Sequence, residues 1–212
     1  MKIGIVGATG KAGSKISAEA LMRGHDVIPL VRNASKLVDQ QGNHFIEKDL
    51  YDLTYEDIKD LDAVVDAFNA PPGKETLHQT SLAYLVSLLQ GYEVPRLVVV
   101  GGAGSLFVDD KMTTRLMDTP DFPEAAKPTA LNMAKAFEQL QLAESVNWTY
   151  ISPSAFFNPE GKRTGSYQLG QDRLLVNSSG ESEISYADFA LALVDEIENQ
   201  QFIHQRITVC SE

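Results

Sequence analysis

The sequence predicts an α/β protein: a parallel sheet with helices over both of its faces. Three observations carry that expectation. Short β-branched runs alternate with amphipathic stretches of helical length from the second residue onward. The first of those runs ends in glycines at 7, 10 and 13. A hydrophobic content of 43% over 212 residues suffices for one large core, and no repeat or low-complexity tract divides it. Strand, helix, strand is the succession that parallel pairing requires.

Lys2 to Val6 is a β-branched run suited to a buried strand. Ser14 to Arg23 follows with Ile16, Ala20 and Leu21 on one helical face, and Gly24 ends it. Val27 to Val31 is a second strand whose Pro29 argues mildly against a central position. Phe45 to Glu47 makes a short third strand, and Tyr55 to Lys59 a brief helix. Ala63 to Ala67 is the fourth strand, and an apolar-faced helix from about Thr76 to Gln90 leads to the fifth, Leu97 to Val100. A helix from Ala125 to Glu144, with Ala130, Met133, Ala134, Phe137 and Leu140 inward, precedes the sixth, Trp148 to Ile151. Between Ser152 and Ser185 the pattern loosens, with glycines at 161, 165, 170 and 180 and one strand expected at Arg173 to Val176. Regular alternation resumes in the helix Tyr186 to Glu198 and the strand Arg206 to Val209.

Charge and composition exclude several classes of function. Lysine and arginine number 18 against 29 acidic residues, a net charge of −11, so polyanions are repelled at long range and neither nucleic acid nor an anionic membrane is expected as a partner. The single cysteine, Cys210, rules out an intramolecular disulfide and a cysteine-built zinc site. His25, His44, His78 and His204 have no ligand spacing, so no metal is expected. No stretch approaches a membrane helix, and the first apolar run breaks into glycines too soon for a signal peptide. A cytoplasmic location follows as the expectation. Neither a Gly-x-Ser-x-Gly elbow nor a Gly-Lys-Ser/Thr phosphate loop occurs, which removes the hydrolase and nucleoside-triphosphatase readings.

The glycines then point to a ligand. A loop that holds a pyrophosphate needs backbone N–H groups aimed at it, no Cβ at the closest approach and a helix N-terminus behind it. Gly7, Ala8, Thr9, Gly10, Lys11, Ala12 and Gly13 supply that combination between a buried strand and an amphipathic helix. A tight turn without ligand is the bland alternative. A site that prefers NAD places an acidic residue at the end of the second strand, about 20 residues beyond the glycines. Arg32 stands there instead. Its guanidinium suits a 2′-phosphate, with Lys36 and Lys11 adding charge, so NADP(H) is expected over NAD(H) unless Arg32 is merely a solvated cation.

The Gly-Ala-Thr-Gly-x-x-Gly spacing resembles that of the atypical and extended short-chain dehydrogenase/reductases. More narrowly, nearly the whole chain resembles the NAD(P)H-flavin reductase family, which is related to biliverdin-IXβ reductase and to nitrogen-metabolite-repressor-like proteins. The likeness rests also on Val31-Arg32-Asn33, on Asp49-Leu50, on the run Val98 to Ser105, and on the tract from Gly165 to Asp188. It implies a Rossmann-type doubly wound parallel sheet with a small C-terminal substrate lobe. The chain would then be one NAD(P)-binding domain over residues 1–212, with 152–185 an inserted, substrate-covering lobe. In the family the carboxylate after strand three holds the adenine amino group, which maps to Asp49 with Leu50 beside it; a helix-capping role for Asp49 stays open. Phe68, Asn69 and Ala70 would line the adenosine ribose and pyrophosphate. Gly101, Gly102 and the loop Pro153, Ser154 and Ala155 would meet the cofactor. Ser105 falls where the family's active-site serine falls, and Lys135 where its lysine reaches the nicotinamide ribose; a turn residue and a solvated helix charge are the competing readings.

One departure discriminates between chemistries. Members that oxidise alcohols carry a tyrosine four residues before the lysine, and here that position is Leu131. An alkoxide product needs a nearby proton donor, whereas a flavin or linear tetrapyrrole takes hydride into a delocalised system and can draw its proton from water. The expected activity is therefore NADPH-dependent hydride transfer to a free flavin or similar planar conjugated acceptor that is not tightly bound. Phe156 and Phe157 are candidate stacking faces, and Tyr167 a candidate phenol. An NADP(H)-sensing regulator without turnover is the alternative. An isomerase or epimerase on nucleotide sugars is disfavoured, because Leu131 cannot carry a proton. A monomer or homodimer is expected.

Overall fold

The computed structural model describes residues 1–37 and 44–212. In chain order its elements are β1 (Lys2–Val6), α1 (Lys11–Met22), β2 (Asp26–Val31), β3 (Ile46–Glu47), α2 (Tyr55–Ile58), β4 (Ala63–Asp66), α3 (Leu77–Leu89), β5 (Arg96–Val100), α4 (Lys127–Leu140), β6 (Trp148–Ser152), β7 (Phe156–Asn158), β8 (Gln168–Gly170), β9 (Glu183–Ser185), α5 (Tyr186–Asn199) and β10 (Gln205–Cys210).

The main sheet runs β3-β2-β1-β4-β5-β6-β10-β8, parallel throughout except for the antiparallel edge strand β8. Strand order reverses between β1 and β4, and at such a switch point the outgoing loops diverge and leave a crevice at the carboxyl ends. Side-chain alternation divides the core in two. Ile3, Ile5, Val65, Val98 and Ile207 join Ile16 and Ala20 of α1 and Phe189 and Leu193 of α5 on one face. Val64, Leu97, Val99 and Tyr150 join Leu85 and Leu89 of α3 and Phe137 and Leu140 of α4 on the other. Burial on both faces explains why the strands read as continuous apolar runs rather than alternating ones. The fold is thus the Rossmann-type α/β sheet expected from the sequence.

Pro29 is accommodated in β2 because the two-residue β3 pairs only with Leu30 and Val31. On the opposite side Pro29 sits beside Ile5 in β1. Buried charge is matched: the Arg96 Nη2 atom lies 2.7 Å from Glu196 Oε1, and the same guanidinium donates to the Glu196 carbonyl at 2.9 Å, tying β5 to the end of α5. Either charge left alone at that depth would be strongly destabilising.

The segment 152–185 differs from expectation in its strands: the one expected is absent, and β7, β8 and β9 form instead. No strand forms at Arg173 to Val176; Arg173 makes a single bridge to Phe107, and Val176 is exposed, since beyond that point no strand runs alongside. The regular pairing lies earlier, where β8 joins β10 through Leu169 and Val209. β7 and β9 form a separate two-stranded parallel sheet. Polar anchors hold the segment to the helices of one face. Arg163 donates to Glu19 of α1 at 2.9 Å, the amides of Thr164 and Gly165 donate to Asp188 of α5, and the Tyr167 hydroxyl donates to Asp195 at 2.6 Å. Among the described residues no helix is long and apolar enough to cross a membrane.

Candidate functional site

The turn from β1 into α1 is shaped by two glycines that tolerate no substitute. Gly7 has φ +75°, and a Cβ there would stand 2.5 Å from the Ala67 carbonyl oxygen. A Cβ on Gly13 would stand 2.2 Å from the carbonyl oxygen of Gly7, so the first turn of α1 lies directly on the end of β1. Gly10 is the N-cap, in extended conformation and with no side chain to cap the helix; the first turn of α1 contains no acidic residue. The opening amides of a helix have no acceptor within it, and the helix dipole makes that end attractive to an anion. Among the described residues no side chain caps those N–H groups, so α1 presents them to the crevice.

A cleft of about 950 Å³ opens there, the size of a small-molecule site. Gly7, Thr9, Gly10, Lys11 and Ala12 form its middle. At one end it is bounded by Arg32, Asn33 and Lys36 after β2 and by Asp49, Leu50 and Tyr51 after β3. Lys48 also lines this end, but its ammonium is engaged by Asp57 at 2.7 Å. Arg32, Lys36 and Lys11 have no side-chain hydrogen bond or ion pair among the described residues, so three uncommitted cations face the cleft. Asp49 caps the short turn Leu50–Asp52 by accepting from the Tyr51 amide at 3.1 Å. It lines the cleft as well, so capping and ligand contact are compatible.

The opposite end is mostly apolar: Gly101, Gly102, Met133, Pro153, Phe157 and Tyr186. Gly101 crosses the buried Tyr150 ring at a distance where a Cβ would come within 2.2 Å of it. The Gly102 amide donates to the Tyr150 hydroxyl at 3.2 Å, which fixes the backbone after β5. The Phe157 and Tyr186 rings pack at a tilt of 56° with centroids 3.9 Å apart. Burial raises the pKa of the Tyr186 phenol, keeping it neutral. Phe68, Asn69 and Leu77 join the two ends.

Several expected residues lie elsewhere. Ser105 turns away: its Oγ accepts from Arg206 Nη1 at 2.9 Å, on the side of β10. Lys135 is exposed and stands outside the lining, because two helical residues separate it from Met133 by about 200°, and it is Met133 that α4 turns to the cleft. Ser154 is buried and donates to the Val209 carbonyl at 2.9 Å, while the Ala155 amide donates to Ser182. Ala8 and Ala70 are buried beside the turn and the loop after β4 without lining the cleft. Gly13 acts through packing. Phe156 is exposed outside the cleft and Tyr167 is bound to Asp195, so of these aromatics only Phe157 lines it. Among the lining residues that sequence reasoning did not place in the site are Met133 and Tyr186. Met133 was assigned to the core by its periodicity. Tyr186 could have been located from Ser185-x-x-Asp188, since the Ser185 hydroxyl caps α5 by accepting from the Asp188 amide and so sets Tyr186 as the first helical residue.

Asp66, the last residue of β4, is buried beneath the loop that carries Phe68. Burial pushes its carboxyl up to about 6, partly opposed by the Phe68 amide, which donates to Oδ1 at 3.1 Å. A folded-state value above the unfolded one means that the native state binds the extra proton, so stability is greatest below the unfolded pKa and is lost as pH rises through about 6. Asp66→Asn should therefore raise Tm at pH 8 by several degrees, an effect on the order of 2 kcal/mol, and leave it nearly unchanged at pH 4. Thermal melts of both proteins at the two pH values check this.

The chain belongs to the NAD(P)H-binding family, whose model matches residues 7–200. It is 55% identical to the uncharacterised protein YwnB of Bacillus subtilis over 100% of this chain and 99% of that one. A crystal structure from Streptococcus pneumoniae, titled "putative NADH-flavin reductase", superposes with a TM-score of 0.94 at 43% identity and 100% coverage of both chains. One from Bacteroides thetaiotaomicron, titled "putative epimerase", superposes with a TM-score of 0.84 at 31% identity, covering 99% of this chain and 96% of that one. The likeness to the atypical short-chain dehydrogenase/reductases and their flavin-reductase members thus holds, and a nicotinamide dinucleotide is the cofactor class of this protein. The uncapped α1 terminus and the cations around the cleft fit such a molecule.

Proposed function

We propose that this protein is a reductase that uses NADPH to reduce a planar conjugated acceptor, a free flavin being the type example. The observation that carries the reading is the contrast between the two ends of one cleft: Arg32 and Lys36, unpaired among the described residues, at one, with Lys11 next to them in the middle, and an apolar lining of Met133, Pro153, Phe157 and Tyr186 at the other. The opening amides of α1 would hold the diphosphate, while the Gly10 amide stays within the turn on the Gly7 carbonyl at 2.8 Å. Arg32 and Lys36 pair with a 2′-phosphate, for which an unpaired guanidinium fork is the matched partner. Asp49 accepts from the adenine amino group. When bound, the reduced nicotinamide supplies the hydride.

The chain's own groups then do three things. Gly101 and Pro153 let the nicotinamide lie close to the backbone. Met133, Phe157 and Tyr186 offer apolar surface for the acceptor and exclude water from the transfer. No tyrosine on α4 stands ready to protonate an alkoxide, since position 131 is an exposed leucine, and that favours acceptors that delocalise the incoming electron pair. The name of the Streptococcus pneumoniae protein supports a flavin as acceptor.

Steady-state oxidation of NADPH with free flavins, quinones, and sugar and steroid carbonyls tests the proposal. Turnover with flavins or quinones and none with the carbonyls supports it. Tight NADPH binding with no turnover on any acceptor would overturn it in favour of a dinucleotide sensor.

A further inference from the structure

We infer that Asp66, His78 and one water between them form an internal proton store beneath the nicotinamide end of the cleft, supplying the proton that a hydride acceptor takes up. The inference rests on the reductase reading above. A cavity of about 20 Å³ lies between α3, α4 and the ends of β4 to β6, and its polar lining is Asp66, His78, Ser81 and Tyr150. That volume suits a single water, which needs two or more polar partners to be held. His78 provides one, since its Nε2 is buried and has no hydrogen-bond partner among the described residues. Asp66 provides another: Oδ1 takes the Phe68 amide, and the second oxygen has no donor among the described residues.

The charged and titratable surroundings are few. From α3 come His78, which burial keeps neutral, and Glu75 one turn before it. From β6 comes Tyr150, whose phenol is pushed up to about 12 by burial, with Arg206 beyond it. β5 and α4 contribute only Val99, Val100, Met133 and Ala136. Phe68, Val100 and Met133 line this cavity and the cleft alike, so a shared wall separates them. Met133, unbranched and flexible, is the part of that wall that can shift without backbone movement.

The chemistry balances. Hydride carries two electrons from the dihydronicotinamide to the acceptor, leaving the acceptor one proton short and the nicotinamide ring cationic. Asp66, protonated from solvent as the polyanionic nucleotide binds, breaks its O–H bond, the proton passes through the water to the reduced acceptor, and a cationic ring nearby would stabilise the new carboxylate. Solvent reprotonates Asp66 after the products leave. The store would take the role that the tyrosine at the position of Leu131 fills in the short-chain members that oxidise alcohols.

The test counts protons rather than turnover. Calorimetric titration at pH 7 in two buffers of different ionisation enthalpy gives the protons exchanged on binding NADPH and on binding NADP⁺. The wild-type protein should take up more protons with NADPH than with NADP⁺, and Asp66→Asn, which keeps an acceptor for the Phe68 amide, should abolish the difference. In turnover that variant should lose about tenfold or more in kcat. If it does not fold, carbon-13 NMR of aspartate-labelled wild-type protein replaces it. A carboxyl titrating near 6 should then move upward with NADPH and less with NADP⁺. Equal proton exchange with the two nucleotides, or no such carboxyl, overturns the proton store while leaving the reductase intact. Failure of NADPH to bind overturns both.

Discussion

Replacing Arg32 with alanine raises the KM for NADPH by about 10- to 100-fold and leaves that for NADH within about twofold. Removing one charged hydrogen-bonding partner of a phosphate is worth about 1.5 to 3 kcal/mol, and NADH carries no 2′-phosphate to lose. The figure is bounded from above because Arg32 is exposed and because Lys36 and Lys11 remain beside it. Arg32→Lys should recover only part of the preference, since an ammonium cannot reproduce the bidentate fork. Steady-state kinetics with both cofactors on the three proteins give the ratio directly. An unchanged ratio of the two Michaelis constants would remove Arg32 from the site.

Gly13→Ala should cost about 3 kcal/mol or more in stability and abolish measurable NADPH binding. The added methyl would lie 2.2 Å from the Gly7 carbonyl oxygen, a backbone atom on a turn already committed to φ +75°, so neither partner can yield cheaply. Relief requires α1 to move off the end of β1, and that movement would withdraw the amides proposed to hold the diphosphate. At the neighbouring cap the demand is milder, because a Cβ on Gly10 meets the Gly7 oxygen at 3.1 Å. Gly10→Ala should accordingly fold better than Gly13→Ala. Chemical denaturation and a nucleotide titration on the two variants separate the effects.

The sheet was legible in the sequence because buried parallel strands are short, β-branched and bounded by helices of regular period. Lys2 to Val6, Ala63 to Asp66 and Trp148 to Ser152 show this, each buried on both faces or nearly so. The cation end of the cleft was legible too, because Arg32 and Asp49 sit at strand ends, where direction follows from topology alone. The other end was not. Periodicity places Met133 and Lys135 on one helix but does not settle how that helix is rotated against the sheet, and an error of one residue turns a side chain by about 100°. Ser105 was misplaced for a related reason: its loop is drawn toward Arg206, 101 positions away, and no local pattern records that contact. The strand expected at Arg173 to Val176 failed because β-propensity reports fitness for a sheet, while pairing depends on which neighbour is present.

The central claim is that the cleft at the end of α1 takes one NADPH molecule. Isothermal titration of the purified protein with NADPH tests it most directly. The account predicts saturable binding at one site per chain, weakened by Arg32→Ala and abolished by Gly13→Ala. No heat of binding at millimolar nucleotide, or binding indifferent to both substitutions, would contradict it.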